Sequence, residues 1–130
     1  MRDPRYSAEV CRRVRELPGS APLPADAVIA AGAAGDIEHG ARVELKFQVA
    51  DGRIQLGQFR AFGCPHVIAA ASWVTDRLCG KGRDALAAWD WREAADALEV
   101  PPAKFGRLLT VQDAVRDAAR NWPGQPGSTV

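Results

Sequence analysis

The sequence has no uninterrupted apolar run of about 18 residues, so no segment is long enough to cross a bilayer as a helix. The opening residues, Met1 to Arg5, are charged where a secretory signal would be apolar, and the chain is expected to stay in the cytoplasm with no membrane partner. Cysteine is scarce. Cys11, Cys64 and Cys79 are odd in number and irregularly spaced, which excludes a disulfide framework in a reducing compartment and leaves a ligand or a reactive thiol as the role of any special cysteine. Excess charge of one sign is also missing: 17 Lys+Arg against 16 Asp+Glu give a net charge of +1, too little for non-specific nucleic-acid binding. No general acid/base pair, nucleotide loop or Ser-His-Asp constellation is present, so the expectation is a protein that is not an enzyme. What remains is a chain of 130 residues, 47% hydrophobic and 25% charged, with the balance of one soluble domain able to bury a core.

The layout follows from periodicity and turn signals. Ser7 suits a helix N-cap, Val10, Val14 and Leu17 share one helical face, and Pro18-Gly19 ends that helix. The small, Pro-rich stretch from Ser20 to Asp26 reads as a surface connection. Val43, Leu45, Phe47 and Val49 alternate with polar residues as in a half-buried strand, and Asp51-Gly52 makes a tight hairpin turn. The return strand places Ile54 and Leu56 on one face, then shifts phase to Phe59 and Ala61, with a bulge expected at Gly57. Pro65 opens a second helix carrying Val67, Ile68, Ala71, Val74 and Leu78, which Gly80 stops. One or two turns from Arg83 to Ala88, a short Asp90-capped helix through Leu98, and a long helix from Lys104 to Arg120 complete the order. The expected architecture is α+β: a small antiparallel β-sheet with helices packed on one face, a single domain over residues 1–122 and a mobile tail over 123–130.

Cys64 stands between a strand and a helix N-terminus, where unpaired N–H groups and the helix dipole stabilise an anion, making it the best thiolate candidate. The same position also suits a small buried apolar side chain. His66 either points into the same pocket or is a solvated first-turn histidine. Cys79 lies at the far end of that helix, roughly 20 Å away at about 1.5 Å per residue, and Cys11 falls beside a packing face. Trp73, Trp89, Trp91 and Trp122 are not interleaved with a basic run, so burial explains them better than a nucleic-acid platform.

With these residues in view, the chain resembles the U-type iron–sulfur cluster scaffolds: IscU, SufU and the N-terminal domain of NifU. The likeness rests on Tyr6-Ser7-Ala8-Glu9-Val10, on Phe59-Arg60-Ala61-Phe62-Gly63-Cys64 before Ile68-Ala69-Ala70-Ala71-Ser72, and on Val74-Thr75-Asp76 followed by Gly80-Lys81-Gly82. Leu98-Glu99-Val100-Pro101-Pro102-Ala103-Lys104 ahead of Gln112-Asp113-Ala114-Val115 extends it over nearly the whole chain. The resemblance implies the IscU-like fold and a site for a nascent 2Fe-2S cluster, iron or zinc, held by three cysteines and an aspartate, with a histidine beside the third cysteine in some branches.

Only the second of those cysteines is matched, by Cys64. The first begins a Cys-Gly-Asp motif; an ungapped match to the following strand sets His39-Gly40-Ala41 there, and a gapped one sets Ala34-Gly35-Asp36. The ungapped match is preferred because a one-residue slip would turn the strand's buried side chains to solvent. The third position carries Gly106-Arg107, and a guanidinium has no lone pair for a metal; it would pair with an anion instead. The ligand set implied is therefore Cys64, His39, His66 and Asp36, able to hold one zinc or iron ion but short of a conventional cluster site. Val100 to Lys104 resembles the Leu-Pro-Pro-Val-Lys segment through which some scaffolds are held by an Hsp70-type chaperone, although two prolines before a helix also need no partner.

Two functions are compatible. One is an iron–sulfur cluster assembly scaffold that receives sulfur from a cysteine desulfurase at Cys64 and binds iron, a cluster or a single metal there. The other is a diverged paralogue with no cofactor, which keeps the scaffold surface and docks on a desulfurase or another assembly protein as a regulatory module. The oligomeric state is open in both.

Overall fold

The structure, a computed structural model, describes residues 5–124; most of the tail expected from Pro123, residues 125–130, lies outside the described residues. The period-2 segment builds the middle of the sheet. Strand β2 (Ala41–Ala50) turns Ala41, Val43, Leu45 and Phe47 inward and leaves Arg42, Glu44, Lys46 and Gln48 on the other face. Asp51 (φ 55°) and Gly52 (φ 74°) both lie in the left-handed region, the geometry that matches a two-residue turn to strand twist, and β3 (Arg53–Phe62) returns antiparallel.

The phase shift in β3 is real but sits elsewhere than expected. Gln48 pairs with Leu56 and Val49 with Ile54, so the irregularity falls at Gln55, and Leu56 turns outward to 51% exposure while Ile54 is buried. Gly57 pairs regularly with Phe47. It is glycine because α2 (Pro65–Arg77) crosses there: an added Cβ would lie 2.6 Å from Thr75 Cγ2 and 3.2 Å from the Thr75 carbonyl oxygen.

A third strand, β1 (Ile29–Asp36), was not anticipated and pairs antiparallel with β2 from Ile29↔Gln48 to Asp36↔Ala41. Beyond Ile29, its sequence, Ala-Ala-Gly-Ala-Ala-Gly-Asp, lacks the β-branched and aromatic residues that mark strands. The reason is steric. Helix α5 (Phe105–Arg120) lies directly on it, and a Cβ at Gly32 would overlap the backbone of Ala114 and Ala118. At its free edge, the Ala33 N–H donates to Asp117 Oδ2 (3.0 Å) and Asn121 Nδ2 donates to the Ala31 carbonyl (2.8 Å).

Helix α1 (Ala8–Glu16) starts as expected: Ser7 Oγ accepts from the Val10 N–H at 3.1 Å and also donates to the Leu98 carbonyl at 2.7 Å. That carbonyl ends α4 (Arg92–Leu98), which follows the short α3 (Arg83–Ala87). Helices α2 and α5 cover one face of the sheet, with α1 packed on α2. Between helices and sheet, Phe47, Leu45, Ile54, Leu108, Val43 and Val67 are fully buried, each worth about 1.5–3 kcal/mol relative to exposure. Trp89 and Trp122 are buried as expected, and Trp91 stacks on Phe105 at 4.8 Å. Arg13 is buried too: its guanidinium donates to Glu9 (2.7 Å), Ser72 Oγ (3.0 Å) and Asp76 (2.8 Å), tying α1 to α2. Among the described residues no helix is long and apolar enough to cross a membrane.

Candidate functional site

Cys64 occupies the strand-to-helix junction that its neighbours predict. Gly63 (φ 150°) ends β3, Cys64 is the N-cap of α2 with extended backbone, and Pro65 takes the first helical position. The Cys64 carbonyl accepts from the Val67 and Ile68 N–H groups at 3.0 and 3.2 Å, while its side chain makes no capping hydrogen bond. The thiol is half-buried, one side against the core and the other open.

Two further chain segments meet this junction. A Cβ on Gly63 would lie 3.3 Å from the Gly40 carbonyl oxygen, and a Cβ on Gly40 would lie 3.5 Å from Arg107 Nη1. The β1–β2 connection, the start of α2 and the first turn of α5 therefore converge at one tip of the sheet. Gly40 has φ 91° and closes a 3-10 turn over Ile37–His39. Arg107 has no carboxylate or carbonyl partner among the described residues.

The expected ligands are dispersed around this tip. His39 is 83% exposed, and its Nδ1 faces Asp36 Oδ2 at 3.4 Å; Asp36 in turn accepts from the Glu38 N–H at 2.8 Å as cap of the 3-10 turn. His66 is not solvated. It is 2% exposed, its ring lies 4.9 Å from the Tyr6 ring, and its Nδ1 is buried without a hydrogen-bond partner. Burial pushes its pKa below the ordinary histidine value, and the positive charge of Lys104 adds to the shift. Reading His66 as a solvated first-turn residue is thus corrected, because Tyr6, far away in sequence, covers it. Among the described residues no group of three or more His, Cys, Asp or Glu side chains is placed to hold a metal ion. One thiol, an exposed imidazole facing a carboxylate, and a guanidinium do not fit a conventional cluster.

The other two thiols are remote: Cys79 Sγ contacts the Thr75 carbonyl at 3.6 Å and Cys11 Sγ the Tyr6 carbonyl at 4.0 Å. In the segment Val100 to Lys104, Val100 is buried, Pro101 to Ala103 are exposed and Lys104 is half-buried. Pro101 is extended (φ −70°, ψ 149°), and Pro102–Lys104 form a 3-10 turn leading into α5.

This fold, with its three-loop tip, is that of the iron–sulfur scaffold class. Residues 8–129 match the NifU-like N terminal domain family. The chain is 31% identical over 96 residues to the iron–sulfur cluster assembly scaffold protein IscU of Escherichia coli, covering 73% of this chain and 71% of that protein. It is 29% identical over 120 residues to iron sulfur cluster assembly protein 1, mitochondrial, of Kluyveromyces lactis, covering 91% of this chain but only 64% of the relative. Among solved structures, the N-terminal part of a nitrogen-fixing NifU-like protein from Brucella abortus superposes with a TM-score of 0.62 at 16% identity, covering 88% of this chain and 92% of that one. A SUF-system scaffold candidate from Fervidobacterium islandicum gives a TM-score of 0.67 at 14% identity, covering 88% and 96%. The chain belongs to the U-type scaffold family, NifU-like N-terminal domain type.

Proposed function

We propose that this chain serves iron–sulfur cluster assembly in the cytoplasm, as a scaffold-like protein and not an enzyme, with Cys64 as its working thiol. The observation that carries the reading is the position of Cys64: half-buried, its side chain in no capping hydrogen bond, and set at the positive, N-terminal end of the dipole of a 13-residue helix. A cysteine desulfurase is the partner that supplies sulfur. In that transfer the Cys64 thiolate attacks the terminal sulfur of the donor's persulfide; the new S–S bond forms as the donor's S–S bond breaks, and the donor leaves as thiolate. Iron or zinc is cargo, with His39 and Asp36 on the β1–β2 connection as additional donors, and Val100 to Lys104 is a segment for an Hsp70-type chaperone.

The test is anaerobic incubation with iron, cysteine and a desulfurase, followed by visible absorption and metal analysis of the wild type and Cys64→Ala. A cluster chromophore, bound metal or persulfide that disappears with Cys64 supports the reading; identical results for both proteins overturn it. A second reading, the interaction module that builds no cluster, is favoured by Arg107 at the third ligand position. Its signature is desulfurase binding with neither metal nor persulfide.

A further inference from the structure

We propose that the open face of the sheet is a docking surface for an acidic protein segment bearing an apolar anchor. Helices α2 and α5 cover one face only, and the other carries Leu56 and Phe62, each 51% exposed, with Ile37 at 56% beside Phe62. Near the tip this face holds a cleft of 260 Å³ lined by Ile37, Arg42, Glu44, Arg60, Ala61 and Phe62. An aromatic and an aliphatic side chain over half exposed, rimmed by charge, form the pattern of a binding surface more than that of scattered surface residues.

The charge on this face selects the partner. Arg42, Lys46 and Arg60 project from it against a single carboxylate, Glu44, which is already taken by Arg42 at 3.0 Å. Arg60 sits directly across the strands from Glu44, yet neither its side chain nor that of Lys46 has an ion pair or hydrogen bond among the described residues. Two uncommitted cations beside an apolar cleft complement a segment that brings carboxylates and one large apolar side chain. Nucleic acid fits less well, because Glu44 faces the cleft and the whole chain carries only +1. The partner lies across the face and does not extend the sheet: at the β1 edge the Ala33 N–H and Ala31 carbonyl are bonded to Asp117 and Asn121, and at the β3 edge Ile54 is bonded to Lys81 and Gly80 and the Phe59 N–H to the Gly19 carbonyl. This surface is independent of the chemistry at Cys64.

The experiment titrates the ¹⁵N-labelled full chain with a synthetic peptide in which glutamates flank a central leucine and tryptophan. Shifts confined to β2, β3 and Ile37 are expected, with affinity falling about tenfold or more as salt is raised from roughly 20 to 200 mM. Arg60→Glu combined with Lys46→Glu should abolish the shifts, and the milder Arg60→Gln should weaken them several-fold with an unchanged melting curve. Absence of binding, shifts on the helical side, equal binding of the glutamine version of the peptide, or stronger binding of a single-stranded DNA oligonucleotide would each overturn the proposal.

Discussion

Replacing Gly32 by alanine tests the account of why β1 is built from such small residues. The new methyl group would overlap the Ala114 carbonyl oxygen and the Ala118 N–H group, and come within 2.9 Å of Ala118 Cα. These are backbone atoms of a helix, so no side-chain rotation relieves the clash; α5 must move off the sheet as a body. That movement opens the layer where Leu108, Val111, Ala114, Val115 and Ala118 are fully buried. Overpacking of this kind costs about 1–3 kcal/mol, and the rigid partner puts Gly32→Ala at the upper end. Loss of glycine's unfolded-state freedom offsets roughly 0.5–1 kcal/mol, leaving a net loss of about 2 kcal/mol. With a urea slope of about 2 kcal/mol/M, the unfolding midpoint should fall by about 1 M at unchanged slope. Gly106→Ala is the control: it lies in the first turn of α5 with nothing within 4 Å of the added methyl, so its midpoint should rise by the equivalent of about 0.5 kcal/mol. An unchanged or raised midpoint for Gly32→Ala would refute the close approach of α5 to β1.

Three further outcomes are expected. Glu9, held by hydrogen bonds from Arg12 and Arg13, has its pKa lowered from 4.5 to about 2, so its contribution is complete above about pH 4.5 and is lost as pH falls toward 2. The carboxylate is a third exposed, which limits the contribution to about 1 kcal/mol; acid titration of Glu9→Gln should show a correspondingly shallower loss of stability. His66 has its pKa lowered by burial and then by Lys104, so its contribution is full above its unfolded value of 6.5 and falls as pH drops through the lower folded value; His66→Phe should flatten the stability profile below pH 6.5, and an unchanged slope would place the imidazole in water. Finally, His39→Cys combined with Arg107→Cys should create a cluster chromophore on reconstitution, since Gly40, Gly63 and Arg107 already converge; a folded double variant that stays colourless would count against the ungapped match.

The parts of the fold that announce themselves in sequence are those whose pattern comes from their own residues. Val43, Leu45 and Phe47 alternate because one face of β2 is buried, Asp51-Gly52 supplies the positive φ angles of its turn, and Pro65 suits the first position of α2. Strand β1 does not, because its residue choice answers the helix lying on it more than the strand it forms. Gly57 likewise has the look of a bulge in sequence, whereas its cause is Thr75 on the opposite layer. At the tip, the strand-to-helix junction that carries Cys64 is legible from Gly63 and Pro65 on either side of it. The burial of His66 is not, since the ring that covers it belongs to Tyr6, and no local rule connects those two positions.

The hydroxyl of Ser7 joins two helix ends through one oxygen, starting α1 by accepting from Val10 and finishing α4 by donating to Leu98. Fraying at either end therefore removes a partner from the other. The amides of the first turn of α1 and the last turn of α4 should exchange with solvent deuterium as one cooperative unit, so that the amino-terminal helix breathes in step with a segment 91 residues away in the chain.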